Sequence, residues 1–514
     1  MSEPPDPLDR PVSRRSAVLA GTGLAYTSIA LVIVRNLGLV PLFVSVIGPH
    51  EYGAWLATGA VLVQITNVDF GLLGVLGQRV SRAYGARDRA ELESLIGSGL
   101  WVVAGIAVVV GAIAASISPL AAQVMGIDGE QGRRLTECIL IACGANILQV
   151  AAFGLAEVLK NLQRPVLPGM HSVLGEALSL VLTVGLIQYG FGLYAISLGL
   201  ALRGGWMLLG NGLSVLWVVV HQLKIRPSWN ARLVRSLFRD SSYVFATQLA
   251  FRLRAYMDPL LVGVILGPIP AGIFAITLRT HEMVKLLDVQ FGTAILPGLA
   301  HLFGQRDDQR LREIMAARYK TTALVGAIGL GGCIALNQGF VQLWVGSDLY
   351  AGNTVNILFA VSSLIFMISG CAYDGLFIRG EFRVITRVVW LDALGRLPIV
   401  IFAMTVWGLP GAAAATLFST IVLFAIPISV SLKRRHPVPP DELKRLGRQL
   451  AVVSVTLTCF ALAVLTWSPA VEDWLSFVLK GAIFVGVAVL AAAALDPAFV
   501  RFLRRRGTGS PLAG

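Results

Sequence analysis

The sequence predicts an all-α membrane protein whose helices cross the bilayer many times. Of its 514 residues, 56% are hydrophobic and only 14% are charged, and the mean hydropathy is +0.75. Soluble proteins carry about 25% charged residues, so the composition excludes a multidomain soluble enzyme. Five cysteines in this length exclude a disulfide scaffold. In so apolar a chain, the net charge of +13 favours a membrane surface over nucleic acid as its partner.

Fourteen apolar windows run along the chain, each close to the roughly 20 residues that a helix needs to cross about 30 Å of hydrocarbon. They lie within residues 20–46, 55–78, 95–124, 136–158, 168–189, 192–220, 241–265, 272–300, 320–345, 351–377, 384–407, 410–432, 449–468 and 475–499. The apolar run after Arg15 is too long for the core of a signal peptide, so we expect no cleavable leader.

The distribution of Lys and Arg predicts the orientation of these spans. About three-quarters of the 42 basic residues fall in loops that are cytoplasmic if the N-terminus is inside, whereas the outer loops hold only Arg133 and Arg134. A missed or surplus helix would invert every later loop and remove this alternation. The count of fourteen is therefore favoured, with both termini cytoplasmic.

An internal repeat at an offset of 219 residues divides the chain. The matched stretches are Gly48-Pro49 with Gly267-Pro268, Gly85-Ala86-Arg87-Asp88 with Gly304-Gln305-Arg306-Asp307, and Val34-Arg35 with Leu253-Arg254. Six spans separate the copies, so the repeats are parallel, as in many secondary transporters. The predicted organisation is a tail at 1–15, a six-helix bundle at 16–220, a basic linker at 221–240, a second six-helix bundle at 241–432, a basic linker at 433–448, two further helices at 449–499 and a basic tail at 500–514.

Several short motifs carry a family resemblance over most of residues 15–435. They are Glu51-Tyr52-Gly53-Ala54-Trp55, Val68-Asp69-Phe70-Gly71, Arg79-Val80-Ser81-Arg82, Asn161-Leu162-Gln163-Arg164, Asp258-Pro259-Leu260-Leu261-Val262 and Ile295-Leu296-Pro297-Gly298-Leu299-Ala300. Their order resembles the polysaccharide-transport branch of the multidrug/oligosaccharidyl-lipid/polysaccharide (MOP) exporter superfamily, the flippases of O-antigen and exopolysaccharide repeat units.

The resemblance implies a multi-pass protein of the bacterial inner membrane and a function as a flippase. Such a protein moves polyprenyl-pyrophosphate-linked oligosaccharides to the outer leaflet by alternating access, with a cationic central cavity for the pyrophosphate. The expected partners are this lipid-linked substrate, the bilayer, and the polysaccharide polymerase and glycosyltransferases of the same pathway. No nucleic acid partner and no cofactor are expected, and a proton or a sodium ion is the candidate for coupling.

Charges within the spans are the candidate site residues, because a charge at membrane depth costs at least ~2.5 kcal/mol and usually faces a bundle interior or a wet cavity. Arg35 and Arg254 are repeat equivalents, and two guanidiniums suit a pyrophosphate. Arg279, Lys285 and Arg252 are further candidates for substrate binding. The alternative is that Arg35 and Arg254 are each neutralised within their own bundle, Arg254 by Asp258 one turn away. On the eighth span, Arg279 with Glu282 and Lys285 with Asp288 could equally form i,i+3 pairs.

The acidic residues Asp69, Asp258, Glu282 and Asp374 are candidates for gating or ion coupling. Glu157, Glu176 and Arg203 predict a buried cluster within the first bundle, which is a further candidate for ion coupling. Asp392 and Arg396 predict a structural pair, and His281 is either structural or a carrier of a proton. No spacing of residues predicts a metal site or a catalytic dyad.

Two transporters of the same superfamily remain as alternatives, a lipid II flippase and a cation-coupled multidrug exporter. Drug exporters of this superfamily favour acidic cavities, but basic and acidic residues within the spans are about balanced here. A polysaccharide polymerase or ligase is disfavoured because the outer loops are about a dozen residues or fewer. ATP-driven transport is disfavoured because no nucleotide-binding motif is present. The sequence therefore predicts a transporter and no enzyme.

Overall fold

The structure is a computed structural model that describes residues 14–59, 72–435 and 473–495, with positions 62, 459, 461–464 and 471. Throughout these residues the regular elements are helices. The α-helices are α1 (Arg14–Ile33), α2 (Val40–Ile47), α3 (Pro49–Ala54), α4 (Leu72–Ala86), α5 (Arg89–Val124), α6 (Gly129–Asn161), α7 (Val166–Gln188), α8 (Tyr194–Val215), α9 (Ala231–Leu266), α10 (Pro268–Gly304), α11 (Asp308–Val345), α12 (Asn353–Phe377), α13 (Phe382–Ser419), α14 (Ile426–Arg435) and α15 (Trp474–Leu495). Short π-helical segments occupy Val34–Gly38, Trp55–Gly59, Leu216–Gln222 and Thr420–Ala425.

Eight described segments are long and apolar enough to cross a membrane. They are Tyr26–Ile47, Arg89–Val124, Gly129–Asn161, Val166–Gln188, Tyr194–Gln222, Asp308–Val345, Asn353–Phe377 and Phe382–Arg434. The last segment is interrupted at Gly408, whose φ of 61° and ψ of −139° lie outside the helical region. This break falls between the two spans that the sequence predicts at 384–407 and 410–432. The chain is therefore an all-α, multi-pass membrane protein.

The internal repeat is visible in the backbone. Gly48 and Gly267 have φ values of 89° and 103°, each followed by a proline that opens a helix. Such left-handed conformations favour glycine, and proline suits the first helical position. Arg87 and Arg306 share φ values of 57° and 58°. The aspartate after each of them caps the next helix by accepting a bond from a backbone N–H three residues on.

The chain separates into two compact units, Met1–Gly272 and Ile273–Gly514. In the first, α6 packs along α8 and α5, and α7 packs between α1 and α8. Helix α9 also belongs to this unit and contacts α4, α5 and Trp55–Gly59. In the second, α12 packs between α11 and α13, and α15 lies against α11. The predicted six-helix bundles, in which the seventh span opens the second bundle, remain a prediction.

The basic linker between the sixth and seventh predicted spans is attached to the first unit. Ser228 N donates to Glu93 O at 2.9 Å, and Asn230 N donates to Ser98 Oγ at 2.7 Å. A Cβ on Gly97 would lie 2.3 Å from the Ser228 carbonyl oxygen, so only glycine permits this approach. Residues 231–240 of the predicted linker are the first turns of α9. Only residues 223–230 therefore join the two helical segments.

Candidate functional site

Among the described residues of the first unit, three membrane-embedded charges form the Arg35–Glu176–Arg203 triad. Arg35 lies in the π-helical segment Val34–Gly38, Glu176 on α7 and Arg203 on α8. Glu176 Oε2 is 3.0 Å from Arg35 Nη1, and Glu176 Oε1 is 2.6 Å from Arg203 Nη2. The Glu176 side chain is 1% exposed, against 19% for Arg35 and 13% for Arg203. One buried carboxylate thus lies between two guanidiniums, and the triad carries a net charge of +1.

Contacts between the same three helices hold the triad in place. Ser28 Oγ of α1 lies 2.8 Å from Ser172 Oγ of α7. One residue earlier on α7, His171 Nε2 lies 2.9 Å from Ser214 Oγ of α8. Gly175 lets α8 approach, since a Cβ there would lie 3.2 Å from Met207 Cγ. The three helices are therefore fixed to one another by polar contacts within about two turns of Glu176.

The expected cluster of Glu157, Glu176 and Arg203 forms only in part. Glu176 and Arg203 are paired, but Glu157 pairs with Lys160 on its own helix, with Oε1 2.7 Å from Nζ. Glu157 also accepts from Asn161 Nδ2 at 3.4 Å. The residue that completes the cluster is Arg35, for which the sequence left open a role as a substrate ligand and neutralisation within its own bundle.

Helix α9 carries three of the predicted site residues, Arg252, Arg254 and Asp258. Both arginines are half-buried, Asp258 is 6% exposed, and all three have interaction partners within the protein. Arg254 is the repeat equivalent of Arg35. Asp69, another of the acidic candidates for gating or ion coupling, lies outside the described residues.

On α10, the predicted charges separate into a local pair and a buried aspartate. Lys285 Nζ is 2.6 Å from Glu282 Oε1, and the two side chains are 23% and 46% exposed. The i,i+3 pair of Lys285 with Asp288 considered from the sequence is not formed, because Asp288 points to another helix. Arg279 is half-buried and forms no ion pair with another described residue.

Asp288 belongs to a second group of charges, the Asp288–Arg318–Thr322–Asp374 cluster, which joins α10, α11 and α12. Arg318 donates from Nη1 to Asp288 Oδ1 at 2.5 Å and from Nη2 to Oδ2 at 3.2 Å. Thr322 Oγ1 donates to Asp288 Oδ1 at 2.8 Å, and Arg318 Nε lies 3.5 Å from Asp374 Oδ2. Arg318 is 3% exposed and Asp288 is 5% exposed. Two carboxylates therefore share one guanidinium.

Arg318 is not among the candidate residues that the sequence suggests, because it lies just before the predicted span 320–345, among the loop charges that set topology. Helix α11 in fact begins at Asp308, so Arg318 is three turns inside it. Gly292 on α10 leaves room for the guanidinium of Arg318. A Cβ at this position would lie 2.8 Å from Arg318 Nη2.

A third polar group in the second unit consists of neutral side chains and His281. Asn337 Nδ2 donates to Asn356 Oδ1 at 2.9 Å, and Asn356 Nδ2 donates to Cys333 O at 3.0 Å. Thr280 Oγ1 donates to Asn337 Oδ1 at 3.0 Å. His281 is fully buried, with Nε2 3.2 Å from Asn356 O. These contacts join α10, α11 and α12, so His281 has the structural surroundings considered for it.

The remaining intramembrane pair, Asp392 and Arg396, is buried on α13. Asp392 is 0% and Arg396 5% exposed, and both have partners within the protein. Arg396 Nη2 donates to Thr416 Oγ1 at 2.6 Å. Among the described residues, no group of three His, Cys, Asp or Glu side chains could hold a metal ion.

Comparison with known proteins gives the family. The profile of the polysaccharide biosynthesis protein family matches residues 45–350, more than half of the chain. The chain belongs to this family. The prediction of a polysaccharide-transport member of the MOP superfamily is thereby confirmed. Among curated proteins, none matches the chain.

Solved structures with the same fold are MOP transporters. An inward-facing multidrug resistance MATE family transporter shares 15% identity at a TM-score of 0.64, over 80% of this chain and 98% of its own. A MOP superfamily transporter from Pyrococcus furiosus, whose reverse polarity of the binding pocket suggests a different function, matches with 15% identity and a TM-score of 0.60, over 85% of this chain and 98% of its own. At such identities the likeness shows the fold, which is that of a MATE-like transporter.

Proposed function

We propose that this protein is a secondary transporter that moves polyprenyl-pyrophosphate-linked oligosaccharide units across the bacterial inner membrane for surface polysaccharide biosynthesis. In this proposal the transporter works by alternating access and is not an enzyme. The lipid-linked unit enters from the cytoplasmic leaflet and leaves from the outer leaflet. Proteins that supply it (glycosyltransferases) and consume it (a polymerase) are the partners.

The observation that supports this proposal most is the family match on a transporter fold. This chain belongs to the polysaccharide biosynthesis family and is built from membrane helices. It can therefore bind those polysaccharide intermediates that lie in or at the bilayer. Intermediates of this kind carry a lipid and a diphosphate. A transporter fold supplies the way to move them, and buried arginines supply the complementary charge.

The proposed topology is that predicted from the basic loops, with fourteen spans and both termini in the cytoplasm. The eight described segments that can cross a membrane agree with predicted spans 1, 3, 4, 5, 6, 9 and 10 and with spans 11 and 12 joined. In this topology the α4–α5 and α10–α11 turns, which contain Arg87 and Arg306, both lie on the cytoplasmic side.

Arg35 and Arg254 are the proposed first ligands of the diphosphate, with Arg279, Lys285 and Arg252 as additional cations. A guanidinium binds two phosphate oxygens at once, and burial strengthens the attraction. The proposed gating and ion-coupling residues are Asp69, Asp258, Glu282 and Asp374. Among these, Asp374 shares Arg318 with Asp288, so protonation or cation binding there would alter a contact between three helices.

The proposal is tested by measuring the amount of surface polysaccharide on cells that lack the chromosomal copy of the gene. These cells carry either the wild-type gene or a variant on a plasmid. We expect the Arg35→Ala, Arg254→Ala double variant to lose most polysaccharide output at equal protein level in the membrane. The matched control is Arg312→Ala, an exposed arginine of α11, which should keep full output. Full output from the double variant would refute the proposed role of the two arginines.

The two alternatives are tested in the same strain. A lipid II flippase would be needed for cell-wall growth, so its loss would cause lysis and no selective loss of surface polysaccharide. A multidrug exporter would leave polysaccharide unchanged and raise sensitivity to organic cations. Loss of polysaccharide with normal growth and unchanged drug sensitivity is the result that the proposal predicts.

A further inference from the structure

We propose that Glu176 is an internal counter-anion that the diphosphate of the substrate must displace from Arg35, while Arg203 retains it. The inference deepens the proposed function and rests on it, because Arg35 is taken there as a ligand of the diphosphate. It assigns distinct roles to the three members of the triad. Arg35 changes partners, Glu176 competes with the substrate, and Arg203 holds Glu176 in place.

The charges of the triad carry the first step of this inference. Two guanidiniums share one carboxylate, so the triad can take up one more negative charge without any residue changing its protonation state. Glu176 has two oxygens, and each is directed to a different arginine. Removing one arginine from Glu176 leaves a neutral pair, Glu176–Arg203 if Arg35 is the one that leaves. At membrane depth this costs less free energy than removing Glu176 from both arginines, which would leave three unpaired charges.

The geometry indicates which arginine leaves. Glu176 lies closer to Arg203, at 2.6 Å, than to Arg35, at 3.0 Å. Arg35 is also the more exposed of the two arginines, with 19% of its side chain exposed against 13% for Arg203. The guanidinium held less closely and more open to its surroundings is the one that a ligand can reach.

The backbone around Arg35 supports the same assignment. Arg35 lies in the π-helical segment Val34–Gly38, and such segments in α-helices often occur at functional sites. The segment Tyr26–Ile47 is also the least buried of the eight that can cross a membrane, with 17% of its apolar window buried. Arg203, in contrast, lies within the regular helix α8, which packs against both α6 and α7.

The test is binding of diphosphates to the purified full chain in lipid nanodiscs, with inorganic pyrophosphate as the first probe. Glu176→Gln removes the competing charge and should tighten binding by about tenfold or more, the range that close charge pairs can reach. Arg203→Gln leaves Glu176 to Arg35 alone and should weaken binding by a similar factor. A purely structural triad would give weaker binding in both variants, which would overturn the inference.

The double variant separates positioning from direct binding. If Arg203 acts through Glu176, Arg203→Gln loses most of its effect once Glu176 is Gln. If Arg203 is itself a ligand, Arg203→Gln weakens pyrophosphate binding equally with Glu or Gln at position 176, and the inference is wrong. Glu157→Gln, which alters a carboxylate paired elsewhere in the same unit, is the matched control and should leave binding unchanged.

A further variant keeps the test valid if Glu176→Gln does not accumulate in the membrane. Glu176→Asp retains the charge but shortens the side chain, so that the carboxylate can no longer bridge both arginines. If Arg203 retains the shortened acid, pyrophosphate binding should tighten. Weaker binding would show that Arg35 is the arginine that retains it, against the inference.

A second probe separates this inference from the proposed function. A short prenyl diphosphate should bind more tightly than inorganic pyrophosphate if the cargo is lipid-linked. Equal binding of both probes, with the predicted opposite effects of Glu176→Gln and Arg203→Gln, would support the counter-anion role and count against the lipid-linked cargo. Absence of pyrophosphate binding in the wild type and in Glu176→Gln would overturn the inference, whatever the polysaccharide output shows.

Discussion

Replacing Arg318 by Met should be among the most destabilising single changes in the second unit. The Arg318 side chain is 3% exposed and contacts Asp288 and Asp374 at 2.5 and 3.5 Å. Methionine would fill much of the volume but leave Asp288 buried and charged with only the Thr322 hydroxyl as donor. Removing one partner of a buried ion pair costs about 3–5 kcal/mol. At about 2–4 °C per kcal/mol for a unit of this size, the midpoint of thermal unfolding should fall by roughly 10 °C.

The assay is thermal unfolding of the purified protein in one detergent, followed by the loss of monodisperse protein on size exclusion. Arg312→Met is the matched control, since Arg312 is exposed on the same helix and its replacement should change stability by less than about 0.5 kcal/mol. The combined variant Asp288→Asn, Arg318→Met should recover most of the loss, because no buried charge is then left alone with a hydroxyl. Equal midpoints for Arg318→Met and Arg312→Met would refute the reasoning.

Three further predictions concern the linker, the neutral network and the repeat. Gly97→Val should push the linker at 223–230 away from α5 and lower stability by about 1–3 kcal/mol, which faster proteolysis of the linker would show. Gly105→Val on the same helix is the control, because a Cβ there meets nothing within 4 Å, and it should leave proteolysis unchanged. Asn356→Leu should lower stability by about 1–3 kcal/mol in thermal unfolding, because it leaves buried amide and carbonyl groups without partners, and an unchanged midpoint would contradict this. Asp88→Ala and Asp307→Ala should each cost about 1 kcal/mol and speed hydrogen exchange in the first turn of the helix they cap. A large effect of only one of them would show that the repeat is not equivalent at this turn.

The spans that match the eight described membrane-crossing segments, and the repeated turns, could be predicted because both leave local signals. An apolar run of about 20 residues is read from composition, and a Gly-Pro turn specifies its own backbone. Gly48 and Gly267 accordingly adopt positive φ in both copies. The break at Gly408 also follows from a short Gly-Leu-Pro sequence between two apolar runs.

The partners of the buried charges could not be predicted in this way. Glu176 and Arg35 are 141 residues apart, and which charge meets which depends on the rotation of each helix about its axis. A reading from sequence considers local pairs first, so Asp288 was considered with Lys285, three residues away, although its partner is Arg318, 30 residues away. The start of α11 was placed too late for a similar reason. Its first three turns are polar, and hydropathy alone assigns such turns to a loop.

Neutral polar residues left no signal at all in the sequence analysis. Asn337 and Asn356 are single amides within apolar helices, and each is 1% exposed or less. They hold α11 and α12 together because a buried amide that finds complementary donors and acceptors stabilises one arrangement of the helices. Only the structure shows that the two amides meet.

The most direct test of the central claim is transfer of a lipid-linked oligosaccharide across reconstituted vesicles by the purified protein. Fluorescent polyprenyl-pyrophosphate oligosaccharide in the inner leaflet should become accessible to an external lectin faster in vesicles with the wild-type protein than in empty ones. The Arg35→Ala, Arg254→Ala variant should reduce this rate to near that of empty vesicles, and Arg312→Ala should not. Transfer at the same rate with and without the protein would contradict the account.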